Sequence, residues 1–483
     1  MKYGPSLAIT RPRRPLGAST PQPSVLSQTG LVAHLFPSGG GHTVNGSDRV
    51  TVANNLGSEG DPVGGATTGP TQLTDAAGNT FWRIEGSEFL TLPASISFDI
   101  RSTAVFFVGR IYRGNAVASV FDIGSSGAGN TSRPVMSIDK GSSNDQFISC
   151  GIRRGLDATN PEFFLAGSQL QVFAGISRTT ANGGVRLISN TEAENFAQTY
   201  VSFSGTGGEI GRQPHSSANG GYFDLYEIAI YNIELSDAVA DANASAMKTK
   251  WNIHDFTNRL ILEGDSITDG IGGTADHENP GAVLSEPGGA YELPGWLVYT
   301  SAFSGSRVST MITRRDATSS PFSFAHFPGR NVAAAMTGRN DASSAGDSEY
   351  SPTTSGSKDR GSEIVDALVG FYNTTTTGVL QRGFEAYALT PIASSSAFED
   401  AFAQMRTEMA ASTFLDDCNA NGGDAFDGLL TVVQTEKHTV DGDRIFDTVA
   451  DASDTNWYWT DQTHLEPAGS EQLAALIHAA VTA

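Results

Sequence analysis

Cysteine is nearly absent from this chain: only Cys150 and Cys418 occur in 483 residues. They stand far apart, in different expected domains, which excludes a disulfide scaffold, a zinc cluster and a CxxC redox pair. Basic residues are also scarce, 30 against 52 acidic, for a formal net charge of −22. That balance excludes a nucleic-acid binder, which needs a basic face, and docking on an anionic membrane. Charged residues of both signs make up only 17%. No apolar run approaches the roughly 18 residues of a membrane span, and none of signal-peptide length lies near the start. What is plentiful is glycine, 54 residues, beside 39% hydrophobic residues. This composition supports real cores, with many turns and strands. At about 100–200 residues per domain, the length implies two or three.

The charge is unevenly spread. Lys2, Arg11, Arg13 and Arg14 precede the first acidic residue, Asp48, so the rest of the chain is more acidic than the whole. Pro5, Pro12, Pro15, Pro21 and Pro23 bar the same stretch from a helix or a central strand. Residues 1–26 are therefore expected to be an extended Pro/Arg arm that docks on a partner.

From Leu31 to Tyr231 short strand-like segments alternate with turn clusters. Thr103–Tyr112, Gln169–Ile176, Gly184–Ser189 and Tyr222–Tyr231 read as strands, and Gly124–Asn130 and Ser216–Gly221 as turns. This density, without intervening helical patterns, predicts an antiparallel sandwich or barrel. An alanine-rich helix follows over Ser236–Thr249, with Ser236 as its N-cap. The run from Gly221 through Tyr231 and Ser236 to Trp251 resembles the closing strand and last helix of concanavalin A/laminin-G-like jelly-roll domains. The resemblance implies an all-β jelly-roll sandwich over residues 27–254.

Beyond His254 the texture changes. Arg259–Glu263, Val332–Met336, Ala386–Thr390 and Gly428–Thr435 read as strands. Arg360–Asn373, Phe398–Ala411 and Ser470–Ala480 carry apolar residues at helical spacing. Strands alternating with helices predict an α/β domain with a parallel sheet over residues 255–483.

Chemistry-bearing residues cluster in this second half. Gly264-Asp265-Ser266 closes its first strand, where ligands and nucleophiles gather in open α/β sheets. A serine hydroxyl needs a base within hydrogen-bond reach, and His464 is available in Asp461-Gln-Thr-His464. Asp461, three residues earlier, can fix the imidazole's tautomer from the same loop. Asn340, in Gly338-Arg339-Asn340-Asp341, offers an amide donor for a developing oxyanion, and Gly305 offers a closely approaching backbone.

Taken in order, these four blocks resemble the SGNH, or GDSL-type, hydrolase family. The resemblance implies a three-layer α/β hydrolase domain and a carboxylic ester hydrolase. In it Ser266 is the nucleophile, His464 the base and Asp461 its orienting acid. The Gly305 N–H, the Asn340 side chain and the Ser266 N–H form the oxyanion hole. The Asn that often precedes the second block's glycine by a few residues is missing here. No metal or cofactor is implied, and the nine histidines form no ligand-spaced cluster. Rival motifs fail. Thr268 replaces the second glycine of a G-x-S-x-G elbow. The Gly270–Ala275 run that mimics a dinucleotide fingerprint leads to Pro280-Gly281 rather than a helix.

Trp457 and Trp459 directly precede the Asp461/His464 loop and Trp296 precedes Gly305; such rings either stack on sugars or pack. Arg339 is placed to engage an acidic sugar or to pair with Asp341. A jelly-roll domain beside an SGNH domain resembles carbohydrate esterases that deacetylate polysaccharides. With the arm added, the architecture resembles bacteriophage virion proteins that handle host surface glycans. The expectations that follow are a glycan substrate, virion or other assembly partners through the arm, a homo-oligomer, and a virion or else extracellular location. The alternative is a non-catalytic structural or glycan- or receptor-binding virion protein with a degenerate SGNH domain.

Overall fold

The computed structural model describes residues 23–483, apart from 113–117, 124–133, 141–145, 151–161, 166–167, 179–183, 191–192, 197–203, 214–215, 221, 271–277, 318–319, 344–348, 351–354 and 422–428. The arm up to residue 22, the turn cluster at 124–130 and most of the 270–275 run lie outside the described residues.

The first half is built on two antiparallel sheets, of eight and six strands. Ala104–Ile111 and Tyr222–Tyr231 pair in the middle of the larger one and are buried along nearly their whole length. Both faces of these strands are covered, so their sequences run apolar instead of alternating. On one face Phe107, Ile228 and Ile230 meet Phe98, Phe121 and Met136 of the smaller sheet. On the other, Phe106, Tyr226 and Tyr231 pack under helix α1 (Asp237–Trp251) through Ala240, Ala244, Met247 and Trp251. Ser236 caps α1 by accepting from the Val239 N–H, and Asn252 ends it in the left-handed conformation at φ 52°. Ser216–Gly220, expected as a turn, is instead a strand paired with Arg212–Gln213. The last residues of the expected docking arm rest on the chain's own sandwich: Ser24 donates from its N–H and its hydroxyl to Glu227, both at 2.9 Å, and Leu26 is buried.

The second half holds a five-stranded parallel sheet. Its strands are β1 (Asn258–Gly264), β2 (Trp296–Thr300), β3 (Asn331–Met336), β4 (Glu385–Leu389) and β5 (Leu430–Val433), in the order β2-β1-β3-β4-β5. Strand β2 had no counterpart in the sequence reading. Helices α2 (Val308–Asp316), α3 (Lys358–Asn373) and α4 (Glu399–Met409) cover one face over Ile261, Ala333, Ala335 and Ala388. Helix α5 (Pro467–Thr482) covers the other over Leu260, Leu262, Val332 and Ala334. Small alanines in β3 let both helical layers come close. The register sets Gly264 beside Met336, so the loops leaving β1 and β3 emerge side by side.

The halves touch directly. Arg110 Nη2 donates to the Ala282 carbonyl at 2.6 Å, the Ser168 N–H to Val298 O at 3.3 Å, and the Ala77 N–H to Pro287 O at 3.1 Å.

Helices α3 and α4 meet where Gly361 faces the Ala401 carbonyl oxygen, which a Cβ would strike. Gly361→Ala should therefore destabilise the chain by about 1–3 kcal/mol, the usual cost of overpacking. The expected readout is a lower urea midpoint with an unchanged m-value, and an unmoved midpoint would contradict the close approach.

Candidate active site

Strand β1 ends in a turn that only glycine can enter. Gly264 has φ +154°, and a Cβ there would collide with the Met336 carbonyl of β3. Asp265 then caps the short helix Ser266–Asp269 by accepting from the Ile267 N–H at 3.1 Å. Ser266, the first residue of that helix, thus stands at the carboxyl end of β1, an interior strand of the sheet.

The partner loop is fixed from behind. Tyr458 is buried and bridges to Leu465, while the Trp459 N–H donates to His464 O at 2.8 Å. Gln462 takes φ 56° at the tip of the turn between them. His464 Nε2 lies 2.8 Å from Ser266 Oγ, and its Nδ1 lies 2.5 Å from Asp461 Oδ2. The other Asp461 oxygen accepts from the N–H groups of Thr463 (2.9 Å) and His464 (3.0 Å). Burial pushes the Asp461 carboxyl up, but these N–H groups and the imidazole outweigh it and hold it below the usual carboxylate range. It therefore stays charged beside the imidazole. The geometry brings together the three residues that the sequence motifs nominated.

Donors flank the serine. The Phe303–Ser306 loop is tied to the Ser266 turn by the Phe303 N–H to Gly264 O (3.2 Å) and the Ser304 N–H to Asp269 Oδ2 (2.9 Å). Gly305 sits in this loop at φ +78°, which explains the glycine there. Among the described residues, neither the Ser266 nor the Gly305 N–H has an acceptor. Asn340 Nδ2 donates to Ser306 O at 3.0 Å, which fixes the amide next to this loop.

No family model matches the chain, and no curated protein matches it. Among solved structures it is similar to a sialidase from Trypanosoma rangeli in complex with sialic acid, at 12% identity and a TM-score of 0.29, covering 51% of this chain and 36% of that one. It is also similar to a member of the lipolytic protein G-D-S-L family from Veillonella parvula: 13% identity, TM-score 0.29, 47% of this chain and 98% of that one. A third is an active-site mutant of a family two carbohydrate esterase from Clostridium thermocellum: 10% identity, TM-score 0.34, 86% and 98%. The chain thus spans about a third of the length of the sialidase it matches, and nearly all of the two hydrolases.

Beneath the site lies a network without a sequence motif. Glu263, fully buried in β1, pairs with Arg314 of α2, whose Nη1 also donates to Ser306 Oγ at 2.6 Å. Burial pushes the Glu263 carboxyl up, against the pull of Arg314. The one available signal was a carboxylate directly after the apolar run Leu260–Leu262, which demands a partner once buried. Asp341 accepts from the Tyr350 hydroxyl and the Val308 N–H, so it holds the start of α2 and does not pair with Arg339. Arg339 instead lies over Phe398 and reaches Thr463. Trp457 packs against the apolar cluster under α5, and Trp459 is exposed. Trp296 is buried at the amino end of β2, beside Asn258 at the start of β1 and under Arg330. It is a packing residue at the far end of the sheet, which removes it from any sugar-stacking role here. Among the described residues, no cluster of three His, Cys, Asp or Glu side chains could hold a metal.

Two buried carboxyls near the site are shifted the other way from Asp461. Burial pushes Asp265 up to about 6, with the like charge of Asp341 adding to it. Burial likewise pushes Asp341 up to about 6. A raised carboxyl binds its proton more tightly in the folded chain, so its contribution to stability is present below the ordinary 3.8 and is lost as pH rises through about 6. Unfolding free energies of wild type and Asp341→Asn, measured by urea titration across this window, should show wild type losing stability relative to the variant as pH rises. A difference that stays constant, or grows in favour of wild type, would contradict the assignment.

Proposed function

We propose that this chain is a serine esterase that removes acyl groups, above all O-acetyl groups, from a polysaccharide. The observation that carries the reading is the continuous bonding from Asp461 through His464 to Ser266 Oγ. Donors without acceptors, the Ser266 and Gly305 N–H groups, stand beside it. In this reading Ser266 Oγ attacks the ester carbonyl as His464 Nε2 takes its proton. The oxyanion settles against the Ser266 and Gly305 N–H groups and the Asn340 amide. The leaving alcohol departs with the proton from His464, and Asp461 stabilises the imidazolium in between. Water, activated by the same histidine, then frees the acyl group from Ser266.

A glycan substrate is supported by the exposed Trp459 beside the catalytic loop and by the sandwich packed against this half. The basic, proline-rich arm favours a place in a larger assembly, of the kind a phage virion presents to its host. A non-catalytic virion protein would have no need of an intact triad, so the formed triad favours the enzyme.

Ser266→Ala should abolish hydrolysis of p-nitrophenyl acetate with an unchanged circular dichroism spectrum. Asn340→Ala should lower kcat by about 10²–10³, the typical loss for one oxyanion donor. Full activity in Ser266→Ala would sink the reading.

A further inference from the structure

Beside the serine sits a cation without a carboxylate of its own. Arg339 opens the short helix Arg339–Ser343, one residue before Asn340. Its guanidinium lies 3.8 Å from the centre of the Phe398 ring. Its Nε and Nη2 each stand 3.4 Å from Thr463 Oγ1, long for hydrogen bonds. Nη1 has no partner among the described residues.

The two carboxylates near enough to be felt form no ion pair with Arg339. Asp461 spends both oxygens on His464 and Thr463; Asp265 gives one oxygen to the Ile267 N–H, and its other, buried, takes no hydrogen bond from the guanidinium. Elsewhere in this half Arg314, Arg330 and Arg406 each hold a glutamate. A half-buried guanidinium has lost part of its hydration, and a planar carboxylate restores it best through two parallel bonds.

Position says where that carboxylate comes from. Arg339 touches Thr463, the neighbour of the base that hands a proton to the leaving alcohol. The alcohol is the sugar, so the charge Arg339 meets belongs to the sugar side of the ester. Resting on the esterase reading, we propose that Arg339 is a specificity residue that receives a carboxylate on the sugar, making the substrate an acylated acidic glycan.

The experiment compares kcat/KM for O-acetylated methyl glucuronoside and O-acetylated methyl glucoside, with p-nitrophenyl acetate and p-nitrophenyl hydrogen succinate alongside. Wild type should prefer the uronoside about tenfold or more, the scale of a charge-assisted bond. Arg339→Gln should erase that preference, chiefly through KM, and Arg339→Lys should keep part of it. Equal loss on both sugars would make Arg339 a positioning residue for the Thr463–His464 loop and overturn the proposal. So would a preference, dependent on Arg339, that appears for the succinate instead of the uronoside. Hydrolysis of p-nitrophenyl acetate with no uronoside preference rejects this inference while leaving the esterase standing. Inertness toward all four esters rejects the esterase reading, and this inference with it.

Discussion

The buried pair of Glu263 and Arg314 ties together parts of the chain that would otherwise meet only at the sheet's edge. Glu263 ends the apolar run of β1, directly before the turn that presents Ser266. Arg314 comes from α2 and reaches past Glu263 to the Ser306 hydroxyl, in the loop whose backbone also receives the Asn340 amide. Removing either charge would leave its partner buried and unpaired, a cost of about 3–5 kcal/mol in such pairs. The Ser266 turn and the Phe303–Ser306 loop are therefore held in one mutual geometry by a bond that neither could lose quietly. Preorganised donors do their catalytic work because nothing has to move when charge develops.

The carboxyls around the serine divide by environment rather than by residue type. Asp461, partly open to solvent and surrounded by N–H donors, is held in its charged form. Asp265 and Asp341, deep in the sheet's end, are pushed toward neutrality by burial. Pushing titratable groups apart in this way assigns distinct tasks to one side-chain chemistry. Here it leaves one firm negative charge next to the imidazole. Arg339 sits in the same field without an ion pair to Asp461 or Asp265, and the proposed sugar carboxylate would supply that missing partner.

Much of this was legible in the sequence, and the gaps have physical causes. Ser266, Asp461 and His464 stood out because their chemistry needs particular residue types at strand ends and in one tight loop. The strand Tyr222–Tyr231 was recognisable from its largely apolar sequence, interrupted only by Asp224 and Glu227, although that sequence also reflects α1 covering its outer face. Strand β2 and the strand Ser216–Gly220 were missed: the first is a brief apolar stretch, and the second is made of residues that disfavour strands and pair only locally. Arg314 carries no motif, since its meaning comes from a partner 51 positions away. Trp296 showed the opposite failure: an aromatic near a glycine block in sequence lies at the far end of the sheet in space.

The central claim is that Ser266 is a nucleophile activated by His464, and a fluorophosphonate probe tests it most directly, because it bonds only to an activated serine. Peptide mass spectrometry of the labelled chain should find one adduct, on Ser266, and His464→Ala should lose it. An adduct on another serine, or undiminished labelling of Ser266 in the His464→Ala chain, would contradict the account.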